Sequence, residues 1–294
     1  MAEPARALEV TAVGPQVTVQ DLGRPGQAHL GVPRSGALDE PAHRLANRLV
    51  GNPESAATLE CLGGRLAFRS RTAVTVAVTG AQLPVRVDGR GRDWGHAVAV
   101  PAGATVELGD VTRGLRAYLA VSGGLDVEPV LGSRATDLLS GLGPEPVSDG
   151  DVLPVGTPTG DPVPVDAVAP VRVGRELRVR LGPREDWFEE RSVRALDRAT
   201  YVVGNRSNRI GLRLEGERIR WRDQEELSSE GMVLGAVQVP PNGQPVVFLH
   251  DHPTTGGYPV VGVVVPEDLA ACAQLRPGEK VTLRVVGTAP VPRR

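Results

Sequence analysis

A chain of 294 residues with 33 basic and 35 acidic side chains, a net charge of −2, suits one large or two ordinary domains and carries no electrostatic footprint for nucleic acid or an anionic membrane. The only lysine, Lys280, lies in Pro-Gly-Glu-Lys, a turn feeding a strand. The chain therefore has no Gly-Lys-Ser/Thr phosphate loop and no methionine-flanked lysine to carry biotin, and lysine Schiff-base chemistry is disfavoured.

The predicted elements are mostly short strands. Alternating runs such as Thr72-Ala-Val-Thr-Val-Ala-Val78 and Arg178-Val-Arg-Leu181 recur between Gly and Pro punctuation, the pattern of an all-β barrel or sandwich. Three helices are expected in chain order. The first covers 40–50, with Asp39 as N-cap and Pro41 in its first turn; the second covers 186–194; the third covers 266–274, opened by Pro266 and two acids. A stretch rich in Pro and small residues, 157–172, reads as an extended linker between an N-terminal domain, 1–156, and a C-terminal domain, 173–294. The halves share ordered matches whose offset shrinks steadily. Among them are Val13-Gly14-Pro15 with Leu181-Gly182-Pro183, Leu59-Glu60 with Leu214-Glu215, and Ser122-Gly123-Gly124 with Thr255-Gly256-Gly257. Tandem duplication of one β unit accounts for that order, and a groove between such units is a common place for a ligand.

Cys61 and Cys272 are too few for a disulfide framework or a structural zinc site. His29, His43 and His96 stand isolated, and His250 and His252 alternate about Asp251, so no closed metal set can be drawn from spacing. No leader-like or membrane-length apolar run is present, which leads to the expectation of a reduced, cytoplasmic protein.

Four tracts are unusually polar. The first runs from Thr18 through Gly31-Val-Pro-Arg-Ser-Gly-Ala-Leu-Asp39 to Asn47. There Ser35, Asp39 and Asn47 offer hydroxyl, carboxylate and amide at a helix start, although Asp39 reads equally as a cap and Ser35-Gly36 as a turn. The second spans Val121–Asp137, the third is Asn205-Arg-Ser-Asn-Arg-Ile-Gly211, and the fourth is His250–Gly262, preceded by Ser229-Glu-Gly-Met232 and Gly235–Pro240.

Together these tracts resemble the biotin-dependent carboxyltransferase family, which includes the allophanate hydrolase subunit 2 proteins. The resemblance is carried by Val19-Gln-Asp-Leu-Gly-Arg-Pro-Gly26, Ser35-Gly-Ala-Leu-Asp39, Ala46-Asn-Arg-Leu-Val-Gly-Asn52, Leu59-Glu60, Gly132-Ser-Arg-Ala-Thr-Asp137, Asn208-Arg-Ile-Gly211, Ser229-Glu-Gly231, Thr254-Thr-Gly-Gly-Tyr-Pro259 and Ala273-Gln-Leu-Arg-Pro-Gly278. It implies two tandem cyclophilin-like β-barrel domains. It also implies the C-type member of an ATP-dependent 5-oxoprolinase, working with B-like and A-like subunits to open the 5-oxoproline lactam to glutamate. ATP would belong to the assembly.

Side-chain chemistry placed on these motifs makes Asp251, Thr255 and Tyr258 the expected catalytic groups, with the Gly256 and Gly257 amides stabilising an oxyanion. Ser35, Asp39, Asn47, Gln238 and Thr254 would bind substrate, and Arg209 would take its carboxylate. The chain reads Asp-His-Pro-Thr where many relatives carry Asp-Arg-Gln-Thr, so an Arg beside the site is missing. The resemblance leaves two other functions open: carboxyl transfer to a urea-like amide with a separate biotin protein, and non-catalytic binding to a kinase-inhibitor-like protein.

Overall fold

The computed structural model describes residues 4–169, 174–223 and 227–288. By internal packing the chain forms two compact units. The first comprises Met1–Arg24, Ser35–Asp137 and Gly141–Arg172; the second comprises Pro25–Arg34, Leu138–Ser140 and Val173–Arg294. Both are built of strands with few short helices, and among the described residues no helix is long and apolar enough to cross a membrane.

In the first unit the chain runs through β1 (Ala7–Ala12), β2 (Gln16–Gln20), helix α1 (Glu40–Leu49), β3 (Thr58–Leu62), β4 (Gly64–Ser70), β5 (Val74–Gln82), β6 (Val85–Val87), β7 (Arg90–Arg92), β8 (Val98–Val100), β9 (Thr105–Asp110), β10 (Arg113–Val121) and β11 (Val152–Pro154). One sheet has the order β11-β1-β4-β9-β6-β7 and the other β2-β3-β10-β5-β8. Alternation decides what each face does: in β4, Leu66, Phe68 and Ser70 point in while Arg65 and Arg69 point out. The inward rows of both sheets merge into one Val/Leu/Ala core that includes Leu8, Val19, Leu59, Phe68, Val76, Val106 and Leu119.

Helix α1 lies outside that core, its Ala42, Ala46 and Leu49 packed on Ala77, Tyr118 and Ala120 of β5 and β10. It starts as expected, because the Asp39 side chain accepts from the Ala42 N–H at 3.1 Å and Pro41 needs no donor there. It ends at Leu49 with Val50 as C-cap, and the φ of +73° and lack of a Cβ at the following Gly51 let the Asp161 carbonyl approach; a Cβ would sit 2.4 Å from that oxygen. The stretch expected as a linker is extended but lies along this helix, and its last residues, 170–172, fall outside the described ones. Val163 donates to Leu49 O at 3.0 Å, and Val165 and Val168 pack against the helix cluster.

The second unit contains β12 (Glu176–Leu181), α2 (Glu190–Ala195), β13 (Thr200–Val203), β14 (Gly211–Glu215), β15 (Glu230–Gly231), β16 (Ala236–Gln238), β17 (Val246–Phe248), β18 (Thr255–Gly256), β19 (Val260–Val264), α3 (Leu269–Gln274) and β20 (Lys280–Thr288). Seven of these strands close a barrel in the order β12-β19-β16-β17-β14-β13-β20, parallel only where β20 meets β12. Along β12, Leu177 and Val179 fill the interior while Arg178 and Arg180 face out. The short strands β15 and β18 form a separate two-stranded ribbon.

Two expectations are corrected. The helix expected at 186–194 breaks into a 3-10 turn, Glu185–Trp187, and then α2. Phe188 between them is fully buried and bridges Trp221, so its backbone must be extended where a helix would turn it outward. The two Gly-Gly pairs are not conformational equivalents. Gly123 and Gly124 are left-handed (φ +98° and +70°), whereas Gly256 lies in β18 and neither Gly256 nor Gly257 is left-handed.

Candidate functional site

The fourth polar tract follows β17. Leu249 donates to Ile210 O at 3.0 Å and Asp251 donates to Arg209 O at 3.1 Å, so the tract is laced to the Asn205–Gly211 loop. That loop is shaped by Asn208, whose Oδ1 accepts from the amides of Ile210 and Gly211 at 2.9 and 3.2 Å. His252 N closes a turn on Leu249 O at 3.0 Å. The backbone register thereby sets Arg209 against Asp251, and the guanidinium grips the carboxylate with both prongs: Nε to Oδ2 at 2.9 Å and Nη2 to Oδ1 at 3.0 Å. Both side chains are 0% exposed, and Leu138 N adds a bond to Oδ2 at 3.3 Å. The His252 ring stacks on Phe248, with centroids 5.6 Å apart and planes 8° apart. Burial pushes its imidazole below the usual value, against the raising effect of the Pro253 carbonyl that it contacts through Nδ1 at 2.7 Å.

Beyond Pro253 the tract becomes accessible. Thr254 O accepts from Met232 N at 2.9 Å, and β18 pairs with β15. The Glu230 carboxylate of β15 is held by the Arg184 guanidinium through both Nε and Nη2. Gly256 is needed for close approach, since a Cβ there would lie 2.8 Å from Gln238 Nε2 and 3.2 Å from Met232 Cγ. Gln238 uses that nitrogen to donate to Tyr258 O at 3.1 Å.

Tyr258 itself is 44% exposed, with its ring 6.4 Å from that of Trp221. Trp221 is fixed by its indole N–H to Val239 O at 3.2 Å. These two rings, Gly257, Arg218, Arg220, Leu227 and Asn242 border an open cavity of about 840 Å³, a volume in the range of small-molecule sites.

The structure therefore brings Thr254, Thr255, Gly256, Gly257 and Tyr258 together on one accessible face of the second unit, with the buried Gln238 behind them. It sets Asp251 and Arg209 apart from that face as a buried pair. As a direct acid/base group or a carboxylate receptor, neither has an exposed atom to offer; both are occupied with each other.

Ser35, Asp39 and Asn47 lie in the first unit and serve the fold. Ser35 (φ +54°) donates to Thr136 O at 3.0 Å, Asp39 caps α1, and Asn47 donates to Ala56 O at 2.8 Å while its Oδ1 accepts from Asn52 at 3.0 Å. All three are at most 3% exposed.

Their neighbour His43 is fully buried, with Nε2 3.0 Å from Glu54 O and Nδ1 2.9 Å from Thr58 Oγ1. Because the carbonyl can only accept, Nε2 carries the proton and Thr58 donates to Nδ1. Burial pushes the imidazole from 6.5 down to about 4, partly offset by the Glu54 carbonyl. Between these two values the unfolded chain binds a proton that the folded chain refuses, so this contribution to stability falls as pH drops through 6.5 and levels off below about 4. Urea unfolding should show about 2 kcal/mol less stability at pH 5 than at pH 7 from this group. His43→Gln should flatten that slope; an unchanged slope would refute the assignment.

Sequence reasoning passed over Arg218, Arg220, Trp221 and Asn242 as site residues. The available signal was the alternation Arg218-Ile219-Arg220-Trp221, with Ile219 buried between two exposed arginines.

A chain built mostly of strands, with a closed barrel in its second unit, has the fold of solved urea carboxylase-type domains. The chain belongs to the carboxyltransferase domain family with subdomains A and B, whose model matches residues 30–285. It is 38% identical over 277 residues to the C subunit of 5-oxoprolinase from Escherichia coli, covering 93% of this chain and 89% of that one. It is 30% identical over 307 residues to the urea amidolyase of Saccharomyces cerevisiae, but the match spans only 16% of that protein against 94% of this one. The solved structure of K. lactis urea amidolyase superposes with a TM-score of 0.89 at 28% identity, over 96% of this chain and 19% of that chain.

Proposed function

We propose that the chain is the C-type member of a 5-oxoprolinase. In this reading it works in the cytoplasm with B-like and A-like subunits to open the 5-oxoproline lactam to glutamate at the expense of ATP. The observation that carries the reading is the end-to-end match with a 5-oxoprolinase C subunit of similar length. The urea amidolyase match, by contrast, is to a small part of a far longer chain.

A lactam is a resonance-stabilised amide and a poor electrophile, so phosphorylation of its oxygen makes ring opening feasible. That step is assigned to a partner. This chain has no Gly-Lys-Ser/Thr loop, and Lys280 is an exposed residue at the first position of β20, paired with Val202. The chain's own share falls to the accessible face. Water adds to the carbon of the phosphorylated imidate, the ring nitrogen leaves as a protonated amine, and the resulting acyl phosphate loses phosphate to a second water. The Tyr258 hydroxyl and the Gly257 N–H would hold the water-derived oxygen as charge grows on it, and Thr255 lies beside them. Gln238 fixes the Tyr258 backbone, and the buried Arg209–Asp251 pair positions the start of the tract. Asp251 is on this reading a positioning residue.

The test is to purify the chain with both partners and assay 5-oxoproline-dependent ATP hydrolysis and glutamate release. No glutamate above background with all three present would sink the reading. Tyr258→Phe should lower kcat by about 10²- to 10⁴-fold in an assembled complex of unchanged melting temperature. Full activity in that variant would remove the hydroxyl from the chemistry.

The second reading, carboxyl transfer from a separate biotin protein, is favoured by the urea amidolyase superposition. It predicts activity only when a biotinylated partner is added.

A further inference from the structure

The carboxylate of a lactam acid needs a cation, and Arg209 is engaged by Asp251. The cavity beside Tyr258 supplies two others. Ile219 is 1% exposed and donates to Gly243 O at 3.0 Å, so in this extended segment the flanking Arg218 and Arg220 both face outward, onto the cavity wall. Their backbone is fixed: Arg220 N donates to Ser192 Oγ at 3.2 Å, and Arg220 O accepts from Glu189 N at 2.8 Å.

Several arginines of this unit are matched with acids: Arg178 with Asp268, Arg184 with Glu230, Arg191 with Glu189, and Arg194 with Glu190. Neither Arg218 nor Arg220 has an ion-pair partner within 4.0 Å among the described residues. The acid that shares their cavity, Glu189, is bonded to Arg191 at 2.6 Å. Asn242 Oδ1 accepts from Gln244 N at 3.0 Å, which turns its amide nitrogen into the end left to donate. The wall thus presents two adjacent guanidiniums, one amide and an aromatic pair, and its one described carboxylate, Glu189, is hydrogen-bonded to Arg191 while its charge also acts on Arg220.

Resting on the 5-oxoprolinase reading, we propose that Arg218 and Arg220 are the carboxylate-recognition residues of this chain, and that the flat lactam ring lies against Trp221 and Tyr258. Two guanidiniums suit a carboxylate better than two ammonium groups, because their planar forks bond it in pairs. The aromatic faces supply the apolar contact that a small polar ring cannot obtain from charge alone. The cavity is several times larger than one lactam acid, so specificity rests on these contacts and not on exclusion.

The experiment compares wild type with Arg218→Gln, Arg220→Gln and the double variant, each assembled with both partners. The readouts are KM and kcat for 5-oxoproline, and the inhibition constant of 2-pyrrolidinone, the same ring without the carboxylate. Each single variant should raise KM for 5-oxoproline by about 10- to 100-fold with kcat nearly unchanged. The inhibition constant of 2-pyrrolidinone should stay the same, and lysine at either position should recover part of the loss.

Unchanged KM in the double variant of an active complex overturns the assignment and leaves the functional reading standing. A wild-type complex that releases no glutamate overturns the functional reading. Calorimetric titration of the full-length chain with 5-oxoproline then decides the site. Heat that disappears in the double variant upholds it; heat that persists, or none with wild type, overturns it.

Discussion

Replacing either member of the Arg209–Asp251 pair alone, as Arg209→Leu or Asp251→Leu, is expected to destabilise the second unit by about 3–5 kcal/mol. Urea unfolding followed by circular dichroism provides the measurement. Both side chains are 0% exposed, so each single variant takes from a buried charge the counter-ion it is forked against. Losing Asp251 also removes the acceptor of the Leu138 N–H. The double replacement should be far milder than the sum of the singles, because two apolar groups of similar volume leave no charge behind. Against a typical total of about 5–15 kcal/mol, either single variant removes a large share of the stability. A single variant costing under about 1 kcal/mol would mean that water reaches the pair.

The same pair separates positioning from chemistry. Asp251→Asn keeps the shape of the side chain and leaves Arg209 with one poorer acceptor. If Asp251 acts only through Arg209 and the tract, activity and stability should fall together. Loss of glutamate release at unchanged stability would return Asp251 to the reacting atoms.

Much of the fold was legible because its causes are local. The period-two Val runs became strands, with Val74, Val76 and Val78 of β5 all inward. Asp39 and Pro41 marked the start of α1 through capping, which depends on a few neighbouring residues. The second helix failed because the burial of Phe188 against Trp221 is a tertiary demand that outweighs local propensity.

The site was legible only as a set of tracts. Arg209 and Asp251 were both picked out as polar residues between apolar runs. Nothing local shows that two residues 42 positions apart neutralise each other. Ser35, Asp39 and Asn47 carry the right chemistry for binding but spend it on Thr136, Ala42 and Ala56. Arg218 and Arg220 escaped notice for the opposite reason, since an Arg-Ile-Arg-Trp alternation looks like any exposed strand. What sets these two apart is their shared place on the wall of the cavity beside Trp221 and Tyr258, and that is a property of the folded surface.

The other large expected effect falls on Glu60, whose dipeptide with Leu59 helped carry the family resemblance. Glu60 is 3% exposed, and its Oε2 accepts from the Tyr118 hydroxyl at 2.8 Å and from Leu38 N at 3.0 Å. Arg116 Nε stands 3.4 Å from its other oxygen, itself on a side chain only 5% exposed. The Tyr118 hydroxyl in turn accepts from Asp39 N at 2.7 Å, so Glu60 orients the phenol that holds the cap residue of α1. Burial and the Glu60 charge push the Tyr118 phenol well above its ordinary range, which keeps it protonated as a donor.

Glu60→Ala should therefore cost about 3–5 kcal/mol, since it removes the carboxylate facing the buried Arg116 and the acceptor of two buried donors at once. Tyr118→Phe should cost about 1–3 kcal/mol, for the unsatisfied groups alone. The two should be strongly non-additive in a double-mutant cycle, because the phenol loses most of its purpose once its acceptor is gone. Hydrogen exchange of the α1 amides reports the same event: protection should fall in Glu60→Ala from the first turn onward. If those amides keep their protection while overall stability drops, Glu60 serves the sheet alone. Below its melting temperature the Glu60→Ala complex should retain the KM of wild type, because this network ends at the helix cap.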